Sequence, residues 1–282
     1  MPTWGEARAA ATTRLRSAPD PDTAALDADV LLAYVLRVGK EALFAHPERE
    51  LTLAEDERFQ ELVGRRGRGE PVAYLRGFKE FYGLRFIVDP RVLIPRPETE
   101  VLVDAAREFI AGRALTVVDV GTGSGAIAVA IAAHEDHVRV IATDSSRDAL
   151  AVAEANALAN GVADRLEFRP GDLLAPINER VEVVCANLPY LPEASVDKWA
   201  GERSSLAFEP RAAVVAGADG LDVIRRCVAD LPRVLAPLGA AFFECDPPQV
   251  AAVVQLLESS GLHAGVRRDL AGNGRVVIAR RR

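Results

Sequence analysis

Apolar residues along the chain follow two different periods. Up to about residue 70 the spacing is helical: Leu26, Val30, Tyr34 and Val38 keep one side of a helix apolar after a Pro19-Asp20-Pro21-Asp22 break, and Phe59, Leu62 and Val63 mark another helix. Thr52-Leu53-Ala54-Glu55 predicts the start of that second helix, because the Thr oxygen can accept from the third helical amide while the Glu reaches back to the cap amide. Between Phe78 and Val88 the pattern turns aromatic and β-branched, with Gly83 in the middle, which predicts a hairpin. The two prolines of Leu93-Ile94-Pro95-Arg96-Pro97-Glu98-Thr99-Glu100 then forbid regular structure.

From about residue 114, short apolar runs alternate with helical patterns. Residues 115–120, 138–143, 181–186 and 240–245 read as buried strands, and 124–134, 147–160, 219–235 and 248–260 as helices. The alternation predicts an α/β fold with right-handed crossovers and a parallel sheet covered by helices on both faces. The expected organisation is a helical N-terminal domain over 1–72, a β-hairpin linker over 73–91 and an α/β domain over 92–282. A length of 282 residues, with 49% hydrophobic and 27% charged positions, fits such a globular pair and excludes a largely disordered chain.

Charge narrows the partners. With 34 Lys and Arg against 41 Asp and Glu, the net charge of −7 argues against non-specific binding to nucleic acid or an anionic membrane. Basic clusters at 65–85 and 262–282 read as solvated surface. Cys185, Cys227 and Cys245 are widely spaced and odd in number, so neither a disulfide framework nor a zinc-ligand spacing is expected. Together with the lack of an apolar membrane-spanning or signal segment, this reads as a cytoplasmic chain.

Candidate chemistry gathers at predicted strand ends. Gly121-Thr122-Gly123-Ser124-Gly125 follows the run Val117-Val118-Asp119-Val120 and opens a helix, so backbone amides can approach a ligand at the helix N-terminus. The spacing is not Gly-x-Gly-x-x-Gly, and no Lys-Ser/Thr pair follows, which weakens dinucleotide and ATP readings. Asp144 closes the second strand, where it can accept both hydroxyls of a ribose or cap the next helix. Asp172, beside Leu173, ends a third strand, where it can meet an adenine edge or simply sit in a turn.

Asn187-Leu188-Pro189-Tyr190 directly follows the buried strand 181–186 and faces the same space as the glycine turn. An Asn carbonyl and the next backbone carbonyl could accept both hydrogens of an –NH₂ group while the Tyr ring covers its planar system. That set suits a planar amide or an aminopurine. His46, His134, His137 and His263 fall outside every one of these strings and read as surface or packing residues.

Several of these strings resemble the release factor glutamine methyltransferases of the HemK type, a family of class I S-adenosylmethionine (SAM) enzymes. The resemblance rests on Gly69-Glu70-Pro71-Val72-Ala73-Tyr74-Leu75, Leu93 to Glu100, the Asp119-x-Gly-x-Gly-x-Gly turn, Asn187 to Tyr190, Glu209-Pro210-Arg211 and Asp219-Gly220-Leu221-Asp222, and covers roughly residues 20–282. It implies a Rossmann-like class I methyltransferase sheet, preceded by a helical substrate-recognition domain. It further implies that Gly121, Thr122, Gly123, Ser124 and Gly125 surround the methionine part of SAM, that Asp144 holds the ribose, and that Asp172 and Leu173 border the adenine, with Asn187 next to the cofactor. Asn187, Leu188, Pro189 and Tyr190 would bind the side-chain amide of a glutamine in a Gly-Gly-Gln loop of a release factor, with Asn187, Pro189 and Tyr190 as the catalytic set. Arg96 to Thr99 would help close the pocket.

Two departures matter. Leu188 stands where the family usually has Pro, which keeps the carbonyl but not its fixed φ, and Asn-Leu-Pro-Tyr is also the spelling typical of ribosomal RNA adenine dimethyltransferases. Adenine methylation in RNA or DNA is therefore the rival activity. Glu244-Cys245-Asp246-Pro247-Pro248-Gln249 departs from the family's Glu-Ile-Gly-x-x-Gln, which puts the shape near that strand in question and leaves open a SAM-binding module without turnover.

Overall fold

The computed structural model describes residues 1–18, 21–195 and 205–281; Pro19 and Asp20 of the expected break, and Arg282 of the basic C-terminal stretch, lie outside them. The chain divides into two compact units, Met1–Phe78 with a piece ending at Glu209, and Lys79–Val196 with Pro210–Arg282.

The first unit is helical: α1 (Trp4–Leu15), α2 (Ala24–Leu36), α3 (Lys40–Ala45), α4 (Leu53–Arg66) and α5 (Val72–Arg76). Two capping boxes start α1 and α4. Thr52 accepts from the Glu55 amide and Glu55 from the Thr52 amide at 2.8 Å, as the sequence predicts, and Thr3 with Glu6 repeats the arrangement. Phe59, Leu62 and Val63 are fully buried. The expected face of α2 is corrected. Its buried stripe is Ala24, Ala28, Leu31 and Leu32, whereas Leu26 is 51% exposed and Val38 lies beyond the helix end. The deciding residue is Asp27, drawn inward to accept from Arg66 Nε of α4 at 2.7 Å, and Arg66 is itself buried.

The hairpin β1 (Phe78–Phe81) and β2 (Leu84–Ile87) turns through Tyr82 and Gly83, both at positive φ. The second unit continues with α6 (Glu100–Ile110), β3 (Thr116–Val120), α7 (Ala126–His134), β4 (Arg139–Asp144), α8 (Arg147–Ala159), β5 (Leu166–Pro170), β6 (Val181–Ala186), α9 (Asp222–Val234), β7 (Leu235–Glu244), α10 (Val250–Ser259), β8 (Leu262–Arg268) and β9 (Gly274–Arg281).

Seven strands form one sheet in the order β5-β4-β3-β6-β7-β9-β8. Successive β3 residues serve opposite faces: Val117 joins a core with α6 and α7, and Val118 one with α9 and α10. The expected parallel sheet is present in β5, β4, β3, β6 and β7, and it is extended by β9, which runs antiparallel to both β7 and β8. That terminal hairpin escapes a reading by apolar runs because most of β8 is partly or fully exposed and carries Arg267 and Arg268. His134 packs its ring edge-on against Tyr82 at 5.0 Å, a packing role as expected.

Candidate active site

The chain leaves β3 for β4 and β5 on one side, then returns to place β6 on the other side of β3. This reversal opens a crevice at the carboxyl ends of β3 and β6. The register sets Val120 beside Ala186, so the segments beginning at Gly121 and Asn187 leave the sheet side by side.

Alternate residues of the β3 turn, Gly121, Gly123 and Gly125, have φ of +68°, +55° and +80°. At Gly121 a β-carbon would also come within 3.0 Å of Leu188 Cδ2, and at Gly125 within 3.0 Å of Ala153 Cβ. Glycine is needed there on both counts. Asp119 wires the strand to the helix beneath the turn: its Oδ2 accepts from Thr122 Oγ1 at 2.6 Å and from the Ala128 amide at 3.1 Å. It is 1% exposed and its Oδ1 has no partner among the described residues. Burial pushes its pKa up to about 7, despite these two hydrogen bonds.

A cavity of about 380 Å³ opens over the turn, within the range of small-molecule sites. Gly121, Gly123, Asp144, Asp172, Leu173, Asn187, Leu188 and Pro189 all line it. Asp144 accepts from the Gly123 amide at 2.9 Å and the Ser146 amide at 2.8 Å, while the cap of α8 is Ser146, which accepts from the Ala149 amide. The helix-cap alternative for Asp144 therefore falls, and its carboxylate sits at the cavity wall. Asp172 pairs with Arg226 at an exposed rim. Leu173, at φ +48°, is anchored through its carbonyl by Thr143 Oγ1 at 2.9 Å. Thr122 and Ser124 turn inward and line a smaller space of about 50 Å³, together with Pro95, Arg96, Thr99 and Asn187. Gly125 lines neither space and acts by letting α8 approach.

Asn187 borders both spaces, and its Nδ2 donates to Thr99 Oγ1 at 3.0 Å. That hydrogen bond gives Thr99, which the sequence groups only with a pocket-closing segment, a definite job. It occupies the donor end of the Asn187 amide and leaves Oδ1 as the end available for a ligand. Leu188 replaces the usual Pro by burying its side chain, 2% exposed, beneath Gly121. Tyr190 lines neither space: its ring packs with the α9 and α10 core, and burial pushes its hydroxyl pKa well up.

Gln249 Nε2 donates to the Tyr190 carbonyl at 2.8 Å and the Asp219 carbonyl at 3.1 Å. A β-carbon at Gly220 would lie 2.1 Å from that Tyr190 oxygen, which explains the glycine of Asp219-Gly220-Leu221-Asp222. The unusual Cys245-Asp246-Pro247-Pro248 text leaves this clamp intact. Strand β7 runs through to Glu244, and Asp246 with Gln249 forms a capping box over the turn Pro247–Gln249.

The chain matches the PrmC N-terminal domain family over residues 6–77 and the methyltransferase small domain family over residues 97–203. Among solved structures, a 16S rRNA methyltransferase from T. thermophilus, in complex with AdoMet and guanosine, superposes with TM-score 0.53 at 19% identity, over 73% of this chain and 50% of that one. A ribosomal protein methylase from Lactobacillus delbrueckii subsp. bulgaricus gives 0.50 at 22% identity, over 66% and 81%. These two share the class I methyltransferase fold with it. Release factor glutamine methyltransferases are much more similar in sequence: that of Koribacter versatilis is 39% identical over 94% of both chains, and that of Xylella fastidiosa 40% identical over 90% of this chain and 92% of its own. Likeness of this degree spans both the helical unit and the sheet unit, and on it the chain belongs to the release factor glutamine methyltransferase family.

Proposed function

We propose that this protein transfers the methyl group of SAM to the side-chain amide nitrogen of a glutamine, the one in the Gly-Gly-Gln loop of peptide chain release factors. The observation that carries the reading is the Asn187 amide, whose Nδ2 donates to Thr99 and whose carbonyl is left for an –NH₂ donor at the border of the cavity.

The residues present fit the cofactor. Gly121 and Gly123 line the cavity with bare backbone at positive φ, Asp144 offers a ribose its carboxylate, and Asp172 with Leu173 borders an adenine edge. When bound, SAM supplies an already activated methyl electrophile, so the protein's task is alignment. A glutamine nitrogen is a weak nucleophile because its lone pair is delocalised into the carbonyl. Asn187 Oδ1 and the Leu188 carbonyl would accept its two N–H bonds and favour the positive charge that grows there during transfer. Pro189 lines the cavity as the wall against which the planar amide lies, while Tyr190, its ring packed in the α9 and α10 core, holds that segment in place. No strongly basic side chain is required.

We read the helical residues 1–72 as the release factor recognition domain, 73–91 as the linker and 92–282 as the catalytic domain. The partner is then a protein rather than a nucleic acid, and the setting is the cytoplasm; no helix among the described residues is long and apolar enough to cross a membrane. Adenine methylation rests on the Leu188 spelling alone, and the burial of that side chain under Gly121 gives the Leu a packing reason. Incubating the protein with isotope-labelled SAM and a release factor tests the reading. Label on the Gly-Gly-Gln glutamine is expected, and label absent there but present on RNA would overturn it.

A further inference from the structure

Strand β7 pairs Phe243 with Ala186, so the next residues, Glu244 and Asn187, leave neighbouring strands together, and Glu244 carries a carboxyl group for which the reaction above has no use. Glu244 is 1% exposed, and neither of its oxygens has a hydrogen-bond partner among the described residues. Burying a carboxyl group without hydrogen bonds is costly, so its presence calls for a physical reason. The Thr99 hydroxyl faces it closely enough to pull its pKa down, although no hydrogen bond is completed.

The problem such a group could solve is the orientation of Asn187. An amide side chain can lie two ways round. One presents Oδ1 to the substrate –NH₂; the other sets donor against donor. A threonine hydroxyl both donates and accepts, so by itself it selects neither orientation. If its hydrogen is drawn to a neighbouring carboxylate, which can only accept, the oxygen is left to accept from Asn187 Nδ2, as observed at 3.0 Å.

We propose that Glu244 is a positioning residue for the methyl transfer: as a carboxylate it takes the Thr99 hydroxyl hydrogen and so keeps the Asn187 carbonyl turned towards the substrate amide. The inference rests on the glutamine methylation reading. When Glu244 is protonated it can donate to Thr99 instead, which frees the hydroxyl hydrogen for Asn187 Oδ1 and stabilises the unproductive orientation.

The surroundings put this change in a useful range. Burial raises the Glu244 pKa to about 7; Thr99, Arg275 and Arg96 oppose the rise and Glu98 adds to it. Of the other groups that feel this charge, Tyr190 is pushed well above its ordinary value and the Cys245 thiol up to about 12, so both stay neutral throughout. Arg275, on the neighbouring strand, is held near Asp269 at 3.7 Å. Activity therefore rises as pH rises through about 7.

The test compares kcat of the full-length protein and of Glu244→Gln between pH 6 and 8, about one unit either side of that midpoint, with SAM and a release factor. Asp119 titrates in the same range, so the readout is the ratio of wild type to variant. The ratio is expected to climb from near one at low pH to roughly tenfold at high pH, with SAM affinity changed less than about threefold. Thr99→Val should give the same curve, Thr99→Ser should restore wild-type behaviour, and Glu244→Gln should add nothing in the Thr99→Val background. Should Glu244→Gln fail to fold, Thr99→Val alone carries the comparison. A ratio that is constant with pH, or a further loss in the double variant, would overturn the proposal. Wild-type protein that leaves the glutamine unmethylated would instead overturn the functional reading on which it rests.

Discussion

Asn187 donates its side-chain amide to the hydroxyl of Thr99 at 3.0 Å, joining the loop after β6 to the start of α6 across 88 positions of sequence. If the carbonyl end of that amide holds the substrate nitrogen chiefly in the transition state, removing it should spare cofactor binding and slow the chemistry. Asn187→Ala is expected to keep SAM affinity within about threefold while lowering kcat roughly a hundredfold or more. Equilibrium binding of SAM and single-turnover kinetics on the same preparation check both halves. Near-normal turnover would remove Asn187 from the mechanism.

Gly121 is restricted twice, by a φ of +68° and by Leu188 Cδ2 at 3.0 Å from where a β-carbon would lie. Gly121→Ala should therefore lower stability by about 1–2 kcal/mol and weaken SAM binding. Adding Leu188→Ala should recover part of the steric loss and none of the backbone strain. Thermal melts of the single and double variants, with and without SAM, separate the two contributions.

Asp119 gives stability a pH dependence with a definite sign. Its pKa in the fold, raised from 3.8 to about 7, means the folded protein holds that proton more tightly than the unfolded chain does. Its contribution is thus most favourable below about pH 4 and is lost as pH rises through about 7, with an upper limit of about 4 kcal/mol. Glu179 acts in the opposite sense, because Arg169 holds its pKa down at about 2 and that stability is lost as pH falls below about 4.5. Denaturant melts of wild type and Asp119→Asn at pH 5.5 and 7.5 should show the difference between them shrinking or reversing at the higher pH, by an amount of order 1 kcal/mol or more. A pH-independent difference would show that Asp119 does not titrate in this window.

Tyr190 contributes a ring rather than a proton: the ring packs in the α9 and α10 core and supports the Asn187 loop, and burial keeps its hydroxyl neutral. Tyr190→Phe should hold kcat within about fivefold, whereas Tyr190→Ala should lose roughly a hundredfold with a smaller change in SAM affinity. Steady-state assays of the two variants distinguish these outcomes. Equal losses in both would point to the hydroxyl instead.

The parts legible in the sequence are those written in short, local strings. The capping box at Thr52, the hairpin turn at Tyr82-Gly83 and the parallel strands flanking the glycine turn all follow from residues a few positions apart. Asp144 and Asn187 could be placed on one crevice because strand ends of a parallel sheet share an edge. What escaped the sequence depends on contacts between distant segments. Thr99 acquires its role only by meeting Asn187, Gln249 only by reaching the Tyr190 carbonyl, and Asp27 redirects α2 only because Arg66 needs a buried partner. The strand β8 was hidden for another reason: half exposed and rich in Arg, it lacks the apolar run by which the central strands declare themselves.

The most direct measurement is a crystal structure of the protein with S-adenosylhomocysteine and a peptide containing Gly-Gly-Gln. It should show the adenosine between Asp144 and Leu173, and the glutamine nitrogen within about 3 Å of Asn187 Oδ1 and facing the sulfur. A glutamine side chain bound away from Asn187, or an adenosine outside the crevice between β3 and β6, would contradict the account.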